Sequence, residues 1–225
     1  MKSGHFYFIS DNYFTTHDPN RNLMQNKAQK GGQPHNRPCF LAFSDKKNPQ
    51  IFWCIPISSQ LNKYKNIVAS KLAKQQRQKS VKYPVCDTIR FGKVMGIEKA
   101  FLIQNMFPVT NKYIASTYID NNTNNEVTLD PQTEADVIKH AKKVLKLSFR
   151  GVPLILADVQ KMYVALEAEL EADRISQKQP KKVFSMPRNS MIQKAQQLHR
   201  DTTQHDAPSK TKEKAAEQHN QDAPE

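Results

Sequence analysis

Acidic side chains are scarce in the first half of this chain. Residues 1–125 carry 18 Lys and Arg against 6 Asp and Glu, residues 126–177 carry 7 against 9, and residues 178–225 carry 9 against 6. The formal charge of +13 is therefore concentrated at the N-terminal side, where it favours an anionic partner. Nucleic acid is the commonest such partner, and an ordinary basic surface is the alternative. The few carboxylates there, Asp45, Asp87 and Glu98 among them, stand apart from one another. A two-metal nuclease needs several acidic ligands converging on its cations, so that class has no support. No metal or other cofactor is expected.

Other absences narrow the field further. There are three cysteines, Cys39, Cys54 and Cys86, with no Cys-x-x-Cys spacing, and the seven histidines are scattered. An odd number of thiols in or beside apolar runs excludes a disulfide scaffold and suits a reducing cytoplasm. No apolar run approaches the roughly 20 residues that span a bilayer, so no membrane partner is expected. The apolar part of MKSGHFYFIS is too short for a signal peptide. No Gly-rich loop follows a strand, and no Gly-x-Ser-x-Gly elbow is present, which removes nucleotide-triphosphate and serine-hydrolase chemistry.

What is present centres on Pro38–Tyr64. Two apolar runs, Cys39–Phe43 and Ile51–Ile57, flank a polar turn rich in Asp, Asn and Pro, which predicts a β-hairpin. The second run ends in Pro56-Ile-Ser58-Ser59, with Lys63 four residues on. Upstream, His5–Ser10 reads as a first strand turned by Asp11-Asn12, with Tyr13 just past its end. Residues 15–36 read as a long loop closing on the basic cluster His35-Asn36-Arg37. Downstream, Leu61, Tyr64, Val68 and Leu72 have helical spacing, and residues 60–82 hold seven Lys and Arg with no acid. A phosphate-binding surface (Lys65, Lys71, Lys74, Arg77, Lys79 and Lys82, with His35) and a merely solvated helix face both fit that run.

Further strands are predicted at Cys86–Phe91 and Ala100–Ile103, with a polar–Pro turn at Asn105–Val109, and Tyr113–Ile119 reads as a further strand or a short helix, its β-branched content favouring the strand. Asp130-Pro131 starts a helix, which Gly151 and Pro153 stop, and Leu154–Leu156 could be a short strand. A second helix begins at Asp158. From Ser176 onward apolar residues thin out, which predicts one domain over residues 1–176 and a polar, mostly disordered tail over 177–225. Strands first and helices later predict an α+β fold.

Metal-free RNA cleavage remains among the chemistries. There the attacking group is the substrate's own 2′-hydroxyl, and the protein supplies proton transfer and charge stabilisation. Candidates at strand ends are His5, Tyr13, His35, Arg37, Ser58, Ser59 and Lys63. Each has a plainer reading: His5 as a packed residue, Ser58 and Ser59 as a helix cap, Arg37 as an exposed side chain.

Residues 5–13 (HFYFISDNY), 54–64 (CIPISSQLNKY) and 94–109 (VMGIEKAFLIQNMFPV) resemble three blocks of the ToxN/AbiQ group of type III toxin–antitoxin toxins. Residues 3–170, with HNRPCF and CDTIRFG, look most like its CptN/TenpN branch. The resemblance implies a sequence-selective endoribonuclease with a compact, strongly twisted antiparallel sheet similar to the MazF/Kid toxins. It implies cleavage without metal to a 2′,3′-cyclic phosphate and a 5′-hydroxyl, and a role in phage defence. It also implies a repetitive pseudoknot RNA antitoxin that the toxin trims and with which it forms a closed assembly. Ser59 matches the family's catalytic serine and Ser58 the hydroxyl residue before it. Tyr13 falls at an active-site tyrosine, His5 at a lysine, Lys63 near the lysine that follows the serine, and Arg37 at a basic residue before the hairpin. A non-catalytic RNA- or DNA-binding protein of a mobile element is the alternative.

Overall fold

The hairpin expected from Cys39–Phe43 and Ile51–Ile57 is the middle of the sheet, and the other strands are laid against it. The computed structural model describes residues 1–28, 34–35, 37–78 and 83–178, with 27, 28, 34, 35 and 178 described by their backbone alone. In chain order the elements are β1 (Phe6–Ile9), α1 (Asp11–His17), β2 (Lys27–Ala28), β3 (Pro34–His35), β4 (Pro38–Ser44), β5 (Ile51–Ser58) and α2 (Leu61–Gln76). They continue with β6 (Arg90–Val94), β7 (Ile97–Phe101), β8 (Phe107–Thr110), β9 (Ile114–Thr117), α3 (Pro131–Ser148) and α4 (Val159–Lys178). All strands but the small β2–β3 pair form one seven-stranded antiparallel sheet in the order β6-β7-β5-β4-β1-β9, with β8 also on β5. The chain is α+β, with an antiparallel sheet and flanking helices, as expected.

Strand β5 carries this arrangement because its apolar residues are buried nearly throughout; Ile51, Trp53, Cys54 and Ile55 have no exposure at all. One edge pairs with β4, with a register slip between Leu41 and Phe43 that marks a bulge. The other edge is shared: Ile51–Cys54 pair with β8, while Ile57 and Ser58 pair with Phe101 and Ala100 of β7. The Leu102 N–H closes the gap by donating to the Pro56 carbonyl at 3.0 Å. Proline lacks a donor, so it fits the point where the edge changes partner.

Helix α3 packs on β4 and β6, and α4 packs on β5 and β8. Val137, Ala141 and Val144 from α3, and Val159, Met162 and Leu166 from α4, join Phe6, Phe40, Phe101 and Phe107 in the core. Asp130 caps α3 by accepting from the Thr133 N–H at 2.9 Å, with Pro131 at the first helical position. Helix α2 has its own small core, in which Tyr64 meets Ile89, Ala100 and Leu102. Gly92 lets β6 approach α3, since a Cβ there would run into the Thr133 side chain.

Several local expectations give way. Asp11-Asn12 begins α1 instead of a turn, because Tyr13 and Phe14 bury together as its inner face. The 15–36 loop contains the end of α1 and the β2–β3 pair. The strand expected at Cys86–Phe91 lies further along, at Arg90–Val94. Met95 and Gly96 both adopt positive φ (51° and 76°) and make a tight two-residue turn, which sets where β6 and β7 can pair. Asn105–Val109 includes the start of β8, an edge strand that tolerates Pro108. Leu154–Leu156 joins no strand.

The turn between β4 and β5 is tied down by one carboxylate. Asp45 accepts from the Lys47 and Asn48 N–H groups at 2.8 and 3.2 Å, from Trp53 Nε1 at 3.2 Å and from the Tyr163 hydroxyl at 2.9 Å. Trp53 and Tyr163 stack at 6.2 Å, so this carboxylate links the hairpin to α4. Partial burial acts to raise the Asp45 pKa, but these hydrogen bonds outweigh it and hold the pKa below the usual value. Asp45→Ala is expected to lower the unfolding free energy by about 2 kcal/mol at neutral pH, measured by urea denaturation. Because the folded pKa is depressed, the parent's advantage is complete above the unfolded value of about 3.9 and shrinks as pH falls through the lower folded one.

Candidate active-site groove

Four neighbouring strands supply the floor of a groove. Phe8 of β1 pairs with Ser116 of β9 on one side and with Pro38 of β4 on the other. The β4–β5 pair, Cys39 opposite Pro56, carries the row onward to Ile57. All four of Ser116, Phe8, Pro38 and Ile57 line a single open cavity of about 1190 Å³. Its walls are the start of α2 (Gln60, Lys63, Tyr64), the β6–β7 hairpin (Val94, Met95, Ile97, Lys99), and Tyr118 with Asn122 beyond β9. Ser58 and Ser59, at the end of β5, open into it.

The charge in this groove has one sign. Arg37, Lys63 and Lys99 line it, and no carboxylate does among the described residues. None of the three makes an ion pair among the described residues; Lys63 Nζ lies 5.7 Å from the centroid of the Tyr64 ring. The start of α2 adds donors. No side chain caps it, and the Asn62 and Lys63 N–H groups meet no acceptor among the described residues. A helix N-terminus carries partial positive charge and favours anions. Ser58 Oγ accepts from the Gln60 N–H at 3.2 Å, while the exposed Ser59 hydroxyl has no partner among the described residues. Two hydroxyls, free amides and three unpaired cations on one concave surface can hold a phosphodiester.

Ser58, Ser59, Lys63 and Arg37 are thus brought together, whereas Tyr13 and His5 are not. Tyr13 is fully buried on α1, not past a strand end; its hydroxyl donates to the Pro108 carbonyl at 2.6 Å, and its ring packs on Phe14, Phe107 and Tyr113. Burial pushes its pKa well above that of free tyrosine, which suits a structural phenol and not a proton shuttle. His5 lies outside the groove lining, held by Glu126 at 3.1 Å and by the Ser3 carbonyl at 3.2 Å.

Among the phosphate-binding candidates, Lys71 is engaged inside the fold, donating to Thr88 Oγ1 at 2.8 Å and Gln104 Oε1 at 2.7 Å. Lys65 pairs with Glu98 at 2.9 Å. Lys74 and Arg77 are exposed and unpaired among the described residues. Seven and four residues separate Lys63 from Ser70 and Ser70 from Lys74, so Lys63, Lys74 and Arg77 share one face of α2. The His35 side chain, Lys79 and Lys82 lie outside the described residues. Sequence reading missed Lys99, Phe8 and Tyr118; the alternation on β1 was visible, but only strand pairing places these residues beside Ser59.

A second polar cluster has a structural explanation. The His17 ring contacts Tyr113 Oη and Glu169 at 3.1 Å each, and Glu169 also accepts from Lys112 and Tyr113, which fastens α4 to α1. Burial lowers the His17 pKa against the pull of the Glu169 carboxylate. For Tyr13, the expected outcome of Tyr13→Phe is a loss of about 1–2 kcal/mol in unfolding free energy, read by urea denaturation, because a buried carbonyl loses its donor.

No family model matches the chain, and no curated protein matches it. Among solved structures it is similar to AbiQ, a lactococcal anti-phage endoribonuclease belonging to the type III toxin–antitoxin system, with a TM-score of 0.41 and 12% identity over 64% of this chain and 82% of that one. Likeness of that degree assigns neither a family nor a site to this chain.

Proposed function

We propose that this protein is a metal-independent, sequence-selective endoribonuclease, the toxin of a type III toxin–antitoxin system. The observation that carries the reading is the groove itself, in which Arg37, Lys63 and Lys99 stand without carboxylate partners around Ser58 and Ser59. The three sequence blocks that resemble ToxN/AbiQ toxins support it independently, since Ser58, Ser59 and Lys63 belong to the second block. A groove with unpaired cations and no carboxylate among the described residues suits a phosphodiester, and those residues offer no acidic ligand set for a metal pair.

In this reading Ser59 holds the reacting 2′-hydroxyl or the scissile phosphate, and the first-turn amides of α2 receive a phosphate oxygen. Attack of the 2′-oxygen on phosphorus forms the cyclic phosphate and breaks the bond to the 5′-oxygen. The 2′-hydroxyl proton passes to solvent, and Lys63 can give a proton to the departing oxygen. Arg37, Lys63 and Lys99 offset charge on the phosphorane. His5 and Tyr13, outside the groove, are not assigned to proton transfer. Lys74 and Arg77 extend the cationic face of α2 away from the reaction centre. The proposed partners are cellular RNA and a repetitive pseudoknot RNA antitoxin that fills the same groove in a closed assembly.

Purified protein incubated with RNA in EDTA is expected to yield fragments ending in a 2′,3′-cyclic phosphate, and Ser59→Ala to slow cleavage at least about a hundredfold. Tyr13→Phe is expected to cleave normally at a temperature where it is folded. Intact RNA bound equally by parent and Ser59→Ala would overturn the enzyme in favour of a non-catalytic RNA-binding protein.

A further inference from the structure

The groove has two chemically different halves. In the sheet order β7-β5-β4-β1-β9, the cations and the Ser58–Ser59 pair belong to the β7, β5 and β4 side, with Lys99 and Arg37 on it and Lys63 above them. The β1 and β9 side offers no charge among the described residues. It presents Phe8, Ser116, Tyr118 and Asn122. A site for phosphate alone has no use for an uncharged, aromatic half, whereas a nucleic acid strand has both charged phosphates and flat uncharged bases.

Phe8 and Tyr118 form a corner. Their rings are 5.5 Å apart and inclined at 72°, and both are only partly buried. The Tyr118 ring is also held edge-on by Phe6 at 6.4 Å. Its backbone is fixed on both sides: the Tyr118 N–H donates to the Phe6 carbonyl at 2.8 Å, and the Val127 N–H donates to the Tyr118 carbonyl at 3.0 Å. The Tyr118 hydroxyl has no partner among the described residues, nor does the Asn122 side-chain amide, so both remain available to the edge of a bound group. Such a corner is preorganised, and filling it costs little side-chain entropy.

We propose that Phe8 and Tyr118 form a nucleobase-binding subsite, in which a base of the RNA strand stacks on one ring and the Tyr118 hydroxyl reads its edge. This rests on the ribonuclease reading and names where its substrate's bases go. Phe8 stands two strands from Ser58, about 10 Å at ordinary strand spacing. That distance suits a base on a nucleotide next to the scissile phosphate. A planar base laid on one ring meets the other ring edge to face, the arrangement that aromatic groups prefer. An unpaired strand satisfies both halves at once, with phosphates on the cationic side and a base on the aromatic side. A duplex, whose bases are turned inward, cannot. Selectivity for sequence then comes from a fixed corner with a free hydroxyl, not from the cations.

The test uses the full chain and a short 2′-O-methyl oligonucleotide, which lacks the attacking hydroxyl and stays intact, beside an abasic backbone of equal length and charge. The parent is expected to bind the base-bearing strand about tenfold or more tightly than the abasic one. Phe8→Leu and Tyr118→Leu are expected to remove that preference while leaving abasic affinity unchanged, which also reports that the groove is still folded. Tyr118→Phe keeps the stacking, so it should retain the preference over the abasic strand and lose discrimination among the four bases. Equal binding of both strands by the parent would overturn the subsite and leave the phosphate-binding groove standing. Failure to bind either strand would overturn the ribonuclease reading and the subsite with it.

Discussion

Strand β5 is held by three partners at once, and the candidate site depends on that. Its pairing with β4 builds the hairpin, its first half recruits β8, and its last two residues recruit β7. A strand so constrained cannot slide, because a slip of one residue would exchange the side chains packed on its two buried faces. Ser58 and Ser59 therefore emerge at a fixed place. The turn into α2 follows at once, so the helix's unbonded first-turn amides and Lys63 are delivered to the same end. The β7 pairing also carries Lys99 there. Asp45, at the opposite end of the hairpin, anchors β5 to α4 through Trp53 and Tyr163.

Charge is distributed by position as well as by sequence. Several cations near the helical layer have carboxylate partners: Arg90 with Asp136 at 2.7 Å, Lys143 with Asp87 at 2.6 Å, and Lys112 with Glu169 at 3.0 Å. Exposed pairs of this kind contribute little to stability, but they neutralise their surroundings. The groove has no such neutralisation. Its three lining cations stand apart from every acid among the described residues, and low-dielectric walls strengthen their field. Part of the N-terminal excess of positive charge is thus gathered in the groove, with Lys74 and Arg77 continuing it along α2.

Legibility in the sequence followed the range of the interactions. The β4–β5 hairpin, α3 with its Asp130 cap, and the apolar stripe of α4 were readable because neighbours along the chain decide them. Short elements were not. Helix α1 exists because Tyr13 and Phe14 find a tertiary pocket, and β8 exists because β5 offers an edge on which Pro108 is harmless. The expected strand at residues 86–91 was displaced by a turn at Met95-Gly96 whose positive φ values are hard to foresee when the first residue is not glycine.

For the site the division is similar. The Pro-Ile-Ser-Ser run, the lysine after it, the basic bias and the lack of clustered carboxylates were all present in the sequence, and the proposed kind of partner, an anion, rests on them. Tertiary structure decided which residues share the groove. Tyr13 and His5 looked equivalent to Ser59 as strand-end polar groups. Packing buried the first against Pro108, and Glu126 holds the second away from the lining. Lys99, Phe8 and Tyr118 looked like ordinary strand residues and became groove walls. Side-chain type is local information, but convergence comes from strand pairing across more than a hundred residues of chain, which periodicity does not record.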